Sequence, residues 1–305
     1  MTDITVIILT YNEEMHIKRC IQSVRGIASK VFVVDSFSDD HTIDIAESEG
    51  AIVYQHKFVN QAKQFQWALD TIPIESGWIM RLDADEYPVP ELVDEIKLRL
   101  STIDNDISGI NLKRRHIFMG RWIKHGTRYP LVLLRIWRTG QAYVEQRWMD
   151  EHILLKSGRA INFENDFCDH NLHDVSWWSE KHIKYAAREA IEVLKRKYIH
   201  IVHKESTTTG AGDRFSQARF KRIIKERIYN FLPMFTGPIL YFLYRYFLRL
   251  GFLDGKEGAI YHFLQGFWYR FLVEVKVFEV ESRMVRDNVD CEEAIRREFS
   301  VEKLV

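Results

Sequence analysis

The chain has 305 residues, enough for one large domain or for one domain with an appendage. Its 43 basic and 43 acidic side chains cancel, so no overall field favours nucleic acid as a partner. The three cysteines are scattered without the spacing of a metal site, and reduced thiols in the cytoplasm are their simplest state. The N-terminus enters a strand pattern directly, without a signal-peptide pattern, so we expect no export.

Short apolar runs alternate with helical patterns over the first 90 residues. Strands are predicted at 4–10, 31–35, 51–54 and 78–82. Helical patterns lie between them, and Gly26 and Gly50 end the first two. Strand–helix–strand alternation with short connections predicts an α/β fold, with a mainly parallel sheet and right-handed crossovers.

Acidic and hydroxyl side chains follow three of these strands, at 10–13, 35–39 and 83–86. Ligands bind open α/β sheets at the carboxyl ends of the strands, so these loops are predicted to form one site. The chain has no Gly-x-Gly-x-x-Gly and no Gly-Lys-Ser/Thr loop. The sequence therefore argues against a dinucleotide site or a P-loop.

Asp83 and Asp85 form the strongest candidate for a metal site. In extended backbone their side chains leave on the same side, after the buried run that begins at Trp78. Carboxylate oxygens with room for water and phosphate suit Mg²⁺ or Mn²⁺. The sequence thus predicts a cation that holds the diphosphate of a nucleotide-sugar. The alternative is a plain polar turn that Pro88 closes.

The second half of the sheet is predicted less sharply. A helix is expected at 90–100, strands at 107–116 and 132–137, and a further strand that ends near residue 161. A second acidic cluster spans 147–153. A helix is predicted at 179–201, followed by a Ser/Thr/Gly-rich linker at 204–214. We therefore divide the chain into a catalytic domain at 1–203, the linker, and a helical region at 215–305.

The helical region combines a basic segment at 219–227 with an aromatic-rich stretch at 229–278. Arg245, Arg249 and two prolines interrupt the apolar run, so it does not read as a spanning helix. Basic and amphipathic aromatic segments suit a surface of anionic lipid. The alternative is a helical hairpin that packs on the catalytic domain or on a second copy, and a homodimer would use the same surface.

These motifs resemble the inverting glycosyltransferases of family 2, which have the GT-A fold. The residues that carry this resemblance are Thr10-Tyr11-Asn12-Glu13, Asp35-Ser36-x-Ser38-x-Asp40 and Asp83-Ala84-Asp85. A closer resemblance, to the lipopolysaccharide-core β-1,4-glucosyltransferase subgroup, is carried by the stretches 112–115, 118–123, 147–153 and 251–255. It implies a UDP-sugar donor with glucose as the sugar, and an anionic glycolipid or lipid-linked oligosaccharide acceptor. It also implies a peripheral position at the cytoplasmic face of the inner membrane.

The resemblance also implies roles for individual residues. The nucleotide would be bound by Thr10, Tyr11, Glu13, Asp35, Ser38, Lys63 and Asp83. Asp35 would accept from the uracil imide. Asp85 would be the direct metal ligand, with Asp83 facing ribose or metal-bound water, and His170 would complete the metal shell. Acceptor phosphates would be met by Arg114, Arg115, Arg121 and Lys124.

The catalytic base is expected in the second acidic cluster. Related chains have a Glu-Asp pair whose Asp is the base, whereas the order here is Asp150-Glu151. In extended backbone the two side chains face opposite ways, so only one faces the donor, and we favour Glu151 over Asp150. The base would take the proton from the attacking acceptor hydroxyl.

Three other functions are weighed against this one. An Asp-x-Asp phosphatase would have its nucleophile after the first strand, whereas this triplet follows the fourth. A sugar nucleotidyltransferase would need a Gly-rich loop with an Arg after strand one, and residues 10–14 have none. A non-catalytic scaffold on the membrane with a vestigial nucleotide-sugar fold is opposed by acids in every loop of the cleft.

Overall fold

The computed structural model describes residues 2–145, 152–199 and 233–299. It divides into two compact units, Met1–Leu172 and His173–Val305. The predicted boundary at 203 lies beyond this division, because the helix expected to close the first domain packs within the second unit. The predicted linker at 204–214 lies outside the described residues.

The first unit is an α/β layer structure. Its strands are β1 (Ile4–Thr10), β2 (Lys30–Asp35), β3 (Ile52–Gln55), β4 (Trp78–Asp83), β5 (Glu86–Pro88), β6 (Ile107–Phe118), β7 (Arg121–Ile123), β8 (Leu131–Arg138), β9 (Ala142–Val144), β10 (Ile153–Leu155) and β11 (Arg159–His170). Its helices are α1 (Ile17–Val24), α2 (Thr42–Ser48), α3 (Gln61–Thr71) and α4 (Pro90–Arg99). The elements predicted over the first hundred residues are confirmed to within a few residues.

The main sheet runs in the order β3-β2-β1-β4-β8-β6-β11-β5, and β7 pairs with β6. Pairing is parallel among β3, β2, β1 and β4 and between β6 and β11, and antiparallel elsewhere. Helices cover it through two apolar cores, one around Ile8 and Leu92 and the other around Phe65 and Trp137. The predicted α/β class, with a mixed sheet flanked by helices, is confirmed.

The edge of the sheet formed by β5 lies next to the end of β4. Only Ala84 and Asp85 separate β4 from β5, yet β5 pairs with β11, which lies three places from β4 in the strand order. The long strands β6 and β11 must therefore bend enough to bring the sheet edge back. A break in register between Asn162 and Asp166 marks the bend in β11.

One strand prediction is wrong. The strand expected to end near residue 161 is instead two strands, and β11 continues to His170. The bulge at 163–165 interrupts the alternation of polar and apolar residues, and the acid Asp166 is buried directly beyond it. The sequence pattern therefore looked like a loop where the strand continues.

The second unit is helical. It contains α5 (Val175–Leu194), α6 (Thr236–Leu243), α7 (Gly255–Tyr261), α8 (Tyr269–Asp287) and α9 (Cys291–Phe299). Helix α5 begins four residues before the predicted start because the Asp174 side chain accepts a hydrogen bond from the Trp177 N–H at 2.9 Å. The core of the second unit contains Ala186 and Leu194 of α5, Val277 of α8 and Ile295 of α9. Over 2–145, 152–199 and 233–299, no helix combines the length and apolar character needed to cross a membrane.

Candidate functional site

The ends of β1 and β2 form the first wall of the site. Thr10 and Asp35 are partners in the parallel register, and the Thr10 hydroxyl donates to Asp35 Oδ1 at 3.0 Å. The Ser38 hydroxyl donates to the same oxygen, and the Ser38 N–H donates to Oδ2 at 2.8 Å. Asp35 is fully buried. These three predicted residues therefore come together, with the carboxylate satisfied by the two loops.

The same two loops are joined by hydrogen bonds from backbone N–H groups to side-chain hydroxyls. The Asn12 N–H donates to Ser38 Oγ at 2.8 Å, and the Glu13 N–H donates to Thr42 Oγ1 at 2.7 Å. Glu13 is also 2.6 Å from Nδ1 of the buried His16. Tyr11 is exposed after β1, and Lys63 is exposed in the first turn of α3. These loops hold each other in place before any ligand binds.

Asp83, at the end of β4, is set among cations. Its Oδ1 lies 3.5 Å from Arg81, and its Oδ2 lies 3.9 Å from Arg135. Burial raises the pKa of Asp83, but the guanidinium groups of Arg81, Arg135 and Arg114 outweigh burial and hold the pKa below its usual value. Asp83 therefore remains a carboxylate at neutral pH.

Glu86 is the buried acid of this turn and has no role in the sequence prediction. Arg135 donates to its Oε1 at 2.6 Å, and the Asp83 N–H donates to its Oε2 at 3.0 Å. Burial raises the pKa of Glu86, and the ion pair with Arg135 opposes that rise. Glu86 fixes the backbone of the turn. Its position in the acidic loop 83–86 was visible in the sequence, but its burial was not.

Asp85 lies at the tip of the turn. The Asn171 amide donates to its Oδ2 at 3.1 Å, and the His170 N–H donates to its backbone carbonyl at 3.0 Å. Burial, together with the negative charges of Asp169, Asp83 and Glu13, raises the pKa of Asp85 to about 6. A carboxylate among like charges is a metal ligand whose charged form a cation would stabilise strongly.

His170 is held away from the role predicted for it. Its Nδ1 lies 3.2 Å from Nη1 of Arg19, and because a guanidinium only donates, this nitrogen accepts. Nε2 then carries the proton and cannot bind a metal in this state. Burial, followed by the charges of Arg19 and His16, lowers the pKa of His170. Within the described ranges no three His, Cys, Asp or Glu side chains form a metal-binding group.

Asp169 is a site residue that the sequence analysis missed. Its Oδ2 lies 3.2 Å from His116 Nδ1 and 3.3 Å from Arg114. Burial raises the pKa of Asp169, but His116, Arg114 and Arg128 outweigh burial and leave the pKa far below its usual value. In β11 it pairs with Glu86 of β5. It was missed because the strand was predicted to end before it.

The four cations predicted to meet the acceptor have different surroundings. Arg114 contacts Asp169 beside the acidic turn. Arg115 donates to the buried Asp166 at 2.6 Å and lies over the Trp122 ring, 4.6 Å from its centroid. Lys124 lies 5.2 Å from the centroid of the same ring, and Arg121 is exposed. Asp150 and Glu151, the predicted bases, lie outside the described residues.

The carboxylates fit a divalent cation without a third protein ligand. Mg²⁺ is commonly held by one or two carboxylates together with substrate phosphates and water. Asp85 has the chemistry for this, since it combines hard oxygens with surplus negative charge. Asp83 is already balanced by guanidinium groups, which suits a contact to ribose or to metal-bound water better than direct ligation.

Known proteins give a consistent picture of relatedness. The family model described as glycosyl transferase family 2 matches residues 5–164. An uncharacterized glycosyltransferase of Rickettsia bellii is 42% identical over 103 residues, 34% of this chain and 34% of that protein. This chain therefore matches only about a third of that relative's length. A Rhizobium meliloti protein named lipopolysaccharide core biosynthesis glycosyltransferase LpsC is 23% identical over 94% of this chain and 96% of its own.

Among solved structures, the chain is similar to glucosyl-3-phosphoglycerate synthase of Mycobacterium tuberculosis, whose structure is in complex with Mn²⁺, uridine diphosphate and glucosyl-3-phosphoglycerate. The sequences are 24% identical, and the match covers 37% of this chain and 43% of that one with a TM-score of 0.31. So low a TM-score adds nothing to the assignment of fold or function.

Proposed function

Because the chain belongs to glycosyl transferase family 2 and is a glycosyltransferase, we propose that it transfers a sugar from a UDP-sugar with inversion and with the help of Mg²⁺ or Mn²⁺. Glucose is the sugar we expect. The proposed acceptor is an anionic glycolipid of the lipopolysaccharide core or a lipid-linked oligosaccharide. The distant likeness to the relative named LpsC supports this acceptor class.

One observation supports the donor site above all others. The parallel register sets Thr10 beside Asp35, and Leu9 beside Asp83. The nucleoside contacts and the acidic turn therefore lie on adjacent strand ends, which is where an α/β sheet binds its ligands. In this arrangement the β1 and β2 loops bind the nucleoside and Asp85 faces the diphosphate.

The reaction proposed is a single in-line displacement at the anomeric carbon. A carboxylate of the 150–151 pair, Glu151 in preference to Asp150, takes the proton of the acceptor hydroxyl as it attacks. Such proton transfer contributes about 10²–10⁴-fold to the rate. A divalent cation held by Asp85 would offset the charge that develops on the departing diphosphate. Buried Asp35 keeps the loops after β1 and β2 in position, and buried Glu86 keeps the turn after β4 in position, while the leaving group departs.

The proposal includes a peripheral position at the cytoplasmic face of the inner membrane. A lipid-anchored acceptor confines the reaction to that surface. The basic and aromatic composition of the C-terminal region also supports this membrane position.

Hydrolysis of a panel of UDP-sugars, measured with and without Mn²⁺, tests the donor and the cation together. We expect metal-stimulated hydrolysis of one UDP-hexose, and its loss by about 100-fold in Asp85→Asn, the order of loss when one group that stabilises transition-state charge is removed. The matched control is Asp94→Asn, an exposed acid on α4, which should keep full activity. Full metal-dependent turnover in Asp85→Asn would refute the assignment of the cation.

The base is tested by Glu151→Gln and Asp150→Asn, made separately. We expect transfer to acceptor to fall by about 10²–10⁴-fold in the first variant and much less in the second. A large loss confined to Asp150→Asn would move the base to Asp150. Equal and mild losses would remove both residues from the mechanism.

A further inference from the structure

Helix α6 has an outward face made only of apolar side chains. The helix continues as a π-helical turn, Tyr244–Leu248, and then into the 3-10 segment Gly251–Asp254. Six residues of this face recur at helical spacing and are 42–75% exposed: Ile239, Leu240, Leu243, Tyr244, Phe247 and Leu248. The opposite face carries Gly237, Pro238 and Arg245, all buried. Burial on one side and exposure on the other define a surface, which we call the apolar stripe.

The apolar stripe extends beyond the helix. Leu250, Phe252 and Leu253 follow it and are 44–50% exposed. Phe252 lies 6.3 Å from the ring of Tyr246, so the 3-10 segment adjoins the helix. Soluble monomers rarely expose a contiguous patch of large apolar residues, and such patches usually mark a binding surface. The stripe is therefore a surface, within the described part of this unit, that we expect to contact a partner.

The dimensions of the stripe indicate how it would meet a bilayer. Residues 236–248 form about 20 Å of helix at ~1.5 Å per residue. The hydrocarbon core is about 30 Å thick, so the segment is too short to cross it. An amphipathic helix of this kind lies in the interface plane, with its apolar face about 5–10 Å into the headgroup and acyl boundary.

The basic residues close to the apolar stripe in the sequence favour anionic lipid over neutral lipid. The sequence from 219 to 227 has five basic residues and one acidic residue, and it precedes Pro233, where the described residues resume. Arg249 is exposed at the end of the stripe. Anionic lipid attracts such a segment by about 1 kcal/mol for each Lys or Arg near the surface. Anionic lipid complements this sequence charge, whereas a second copy of the chain carries the same basic residues.

We infer that the apolar stripe inserts into the headgroup region of an anionic bilayer. The inference deepens the membrane position proposed above, and it rests on the exposed side chains of α6 rather than on the donor chemistry. Donor hydrolysis and vesicle binding can therefore fail separately.

The test is co-sedimentation of the full chain with vesicles of phosphatidylcholine containing phosphatidylglycerol. We expect Leu248→Glu combined with Phe247→Glu to weaken vesicle binding at least tenfold and to leave UDP-sugar hydrolysis unchanged. The matched control is Val285→Glu, which alters a side chain of the same unit that is 85% exposed outside the stripe. It should bind vesicles like the unaltered chain. Equal binding by the stripe variant and the control would overturn the inference.

Hydrogen exchange of the unaltered chain provides a test that needs no variant. Adding the same vesicles should slow exchange in peptides that cover 239–253 and leave exchange at 269–287 unchanged. No slowing in 239–253 would overturn the inference. The inference would also be overturned if the apolar stripe joined two copies of the chain. Light scattering would then show a dimer of the unaltered chain that the double variant dissociates, while the double variant still binds vesicles.

Discussion

Arg19 holds the acidic turn against the far edge of the sheet. From α1 it donates to the carbonyl of His170 at 2.6 Å and to that of Asp85 at 3.3 Å. Its guanidinium also lies over the Tyr87 ring, 4.7 Å from the centroid. One side chain thus joins β11, the turn after β4, and β5. The position of Asp85 depends on this residue as much as on its own strand.

Replacing Arg19 by Ala should lower the free energy of unfolding by about 2 kcal/mol, because two carbonyls lose a charged donor. Half-saturation of donor hydrolysis should need more Mn²⁺, since Asp85 is less well fixed. Urea unfolding and a metal titration measure the two effects. Arg25→Ala is the control, because Arg25 has a largely exposed side chain and forms an ion pair with Glu49. Equal effects of both substitutions would contradict the role given to Arg19.

Ser38 links the two loops predicted to bind the nucleoside. Its hydroxyl donates to Asp35 and accepts from the Asn12 N–H. Ser38→Ala should lower the free energy of unfolding by about 1–2 kcal/mol. It should also raise the KM for the donor, while the dependence of kcat on metal stays the same.

Steady-state kinetics with varied donor and fixed Mn²⁺ checks this expectation. Ser48→Ala is a suitable control, because that exposed hydroxyl donates to the Ile45 carbonyl of its own helix. An unchanged KM in Ser38→Ala would argue against the nucleoside site.

At the level of elements, the bulge in β11 is stabilised from α4. The Glu95 carboxylate accepts from the N–H groups of Glu164 and Asn165, at 2.9–3.1 Å, and from the Asn165 amide at 3.0 Å. These donors would otherwise lack partners, since the register with β6 breaks at this point. Burial raises the pKa of Glu95, but these hydrogen bonds outweigh burial and lower it.

A carboxylate with a lowered pKa stabilises the fold above the ordinary Glu pKa of about 4.3, and that stability is lost as the pH falls through the folded pKa. Glu95→Gln should therefore cost about 2 kcal/mol at pH 7 and progressively less below about pH 4. Urea unfolding at several pH values measures the difference. Glu91→Gln, an exposed position on the same helix, should change stability little at any pH. A cost for Glu95→Gln that does not vary with pH would contradict this account.

Elements with regular periodicity were predicted well, and the irregular strand was not. β1 and β4 are buried along nearly their whole length, and α1 has its buried residues at helical spacing. β11 has a bulge and carries acids that only distant partners neutralise. No periodicity within residues 159–170 indicates a strand of that length, and the prediction therefore stopped at 161.

At the scale of the molecule, the two units have separate apolar cores. Val6 is fully buried in the core of the first unit and Val280 in that of the second. Each Val→Ala change should cost about 2 kcal/mol through lost contacts and a residual cavity. The cost should appear in the unit that contains the residue, because the described residues of each core belong to one unit.

Native-state hydrogen exchange distinguishes the units. Val280→Ala should speed exchange in peptides from 269–299, and Val6→Ala in peptides from β1 and β4. Faster exchange across the whole chain from either substitution would mean that the units unfold as one.

Short-range pattern was enough to predict the α/β class, the strand ends after which the proposed site residues lie, and the helical nature of the C-terminal region. Hydrophobic periodicity and strand-end position are properties of short segments, so the sequence contains them locally. Which charges face one another was settled by the folded sheet. Asp169 meets Glu86 and His116, and His170 is held by Arg19, because β5 and β6 pair with β11 across long stretches of chain. No local pattern encodes such pairing, which arises when the bent sheet returns to the end of β4.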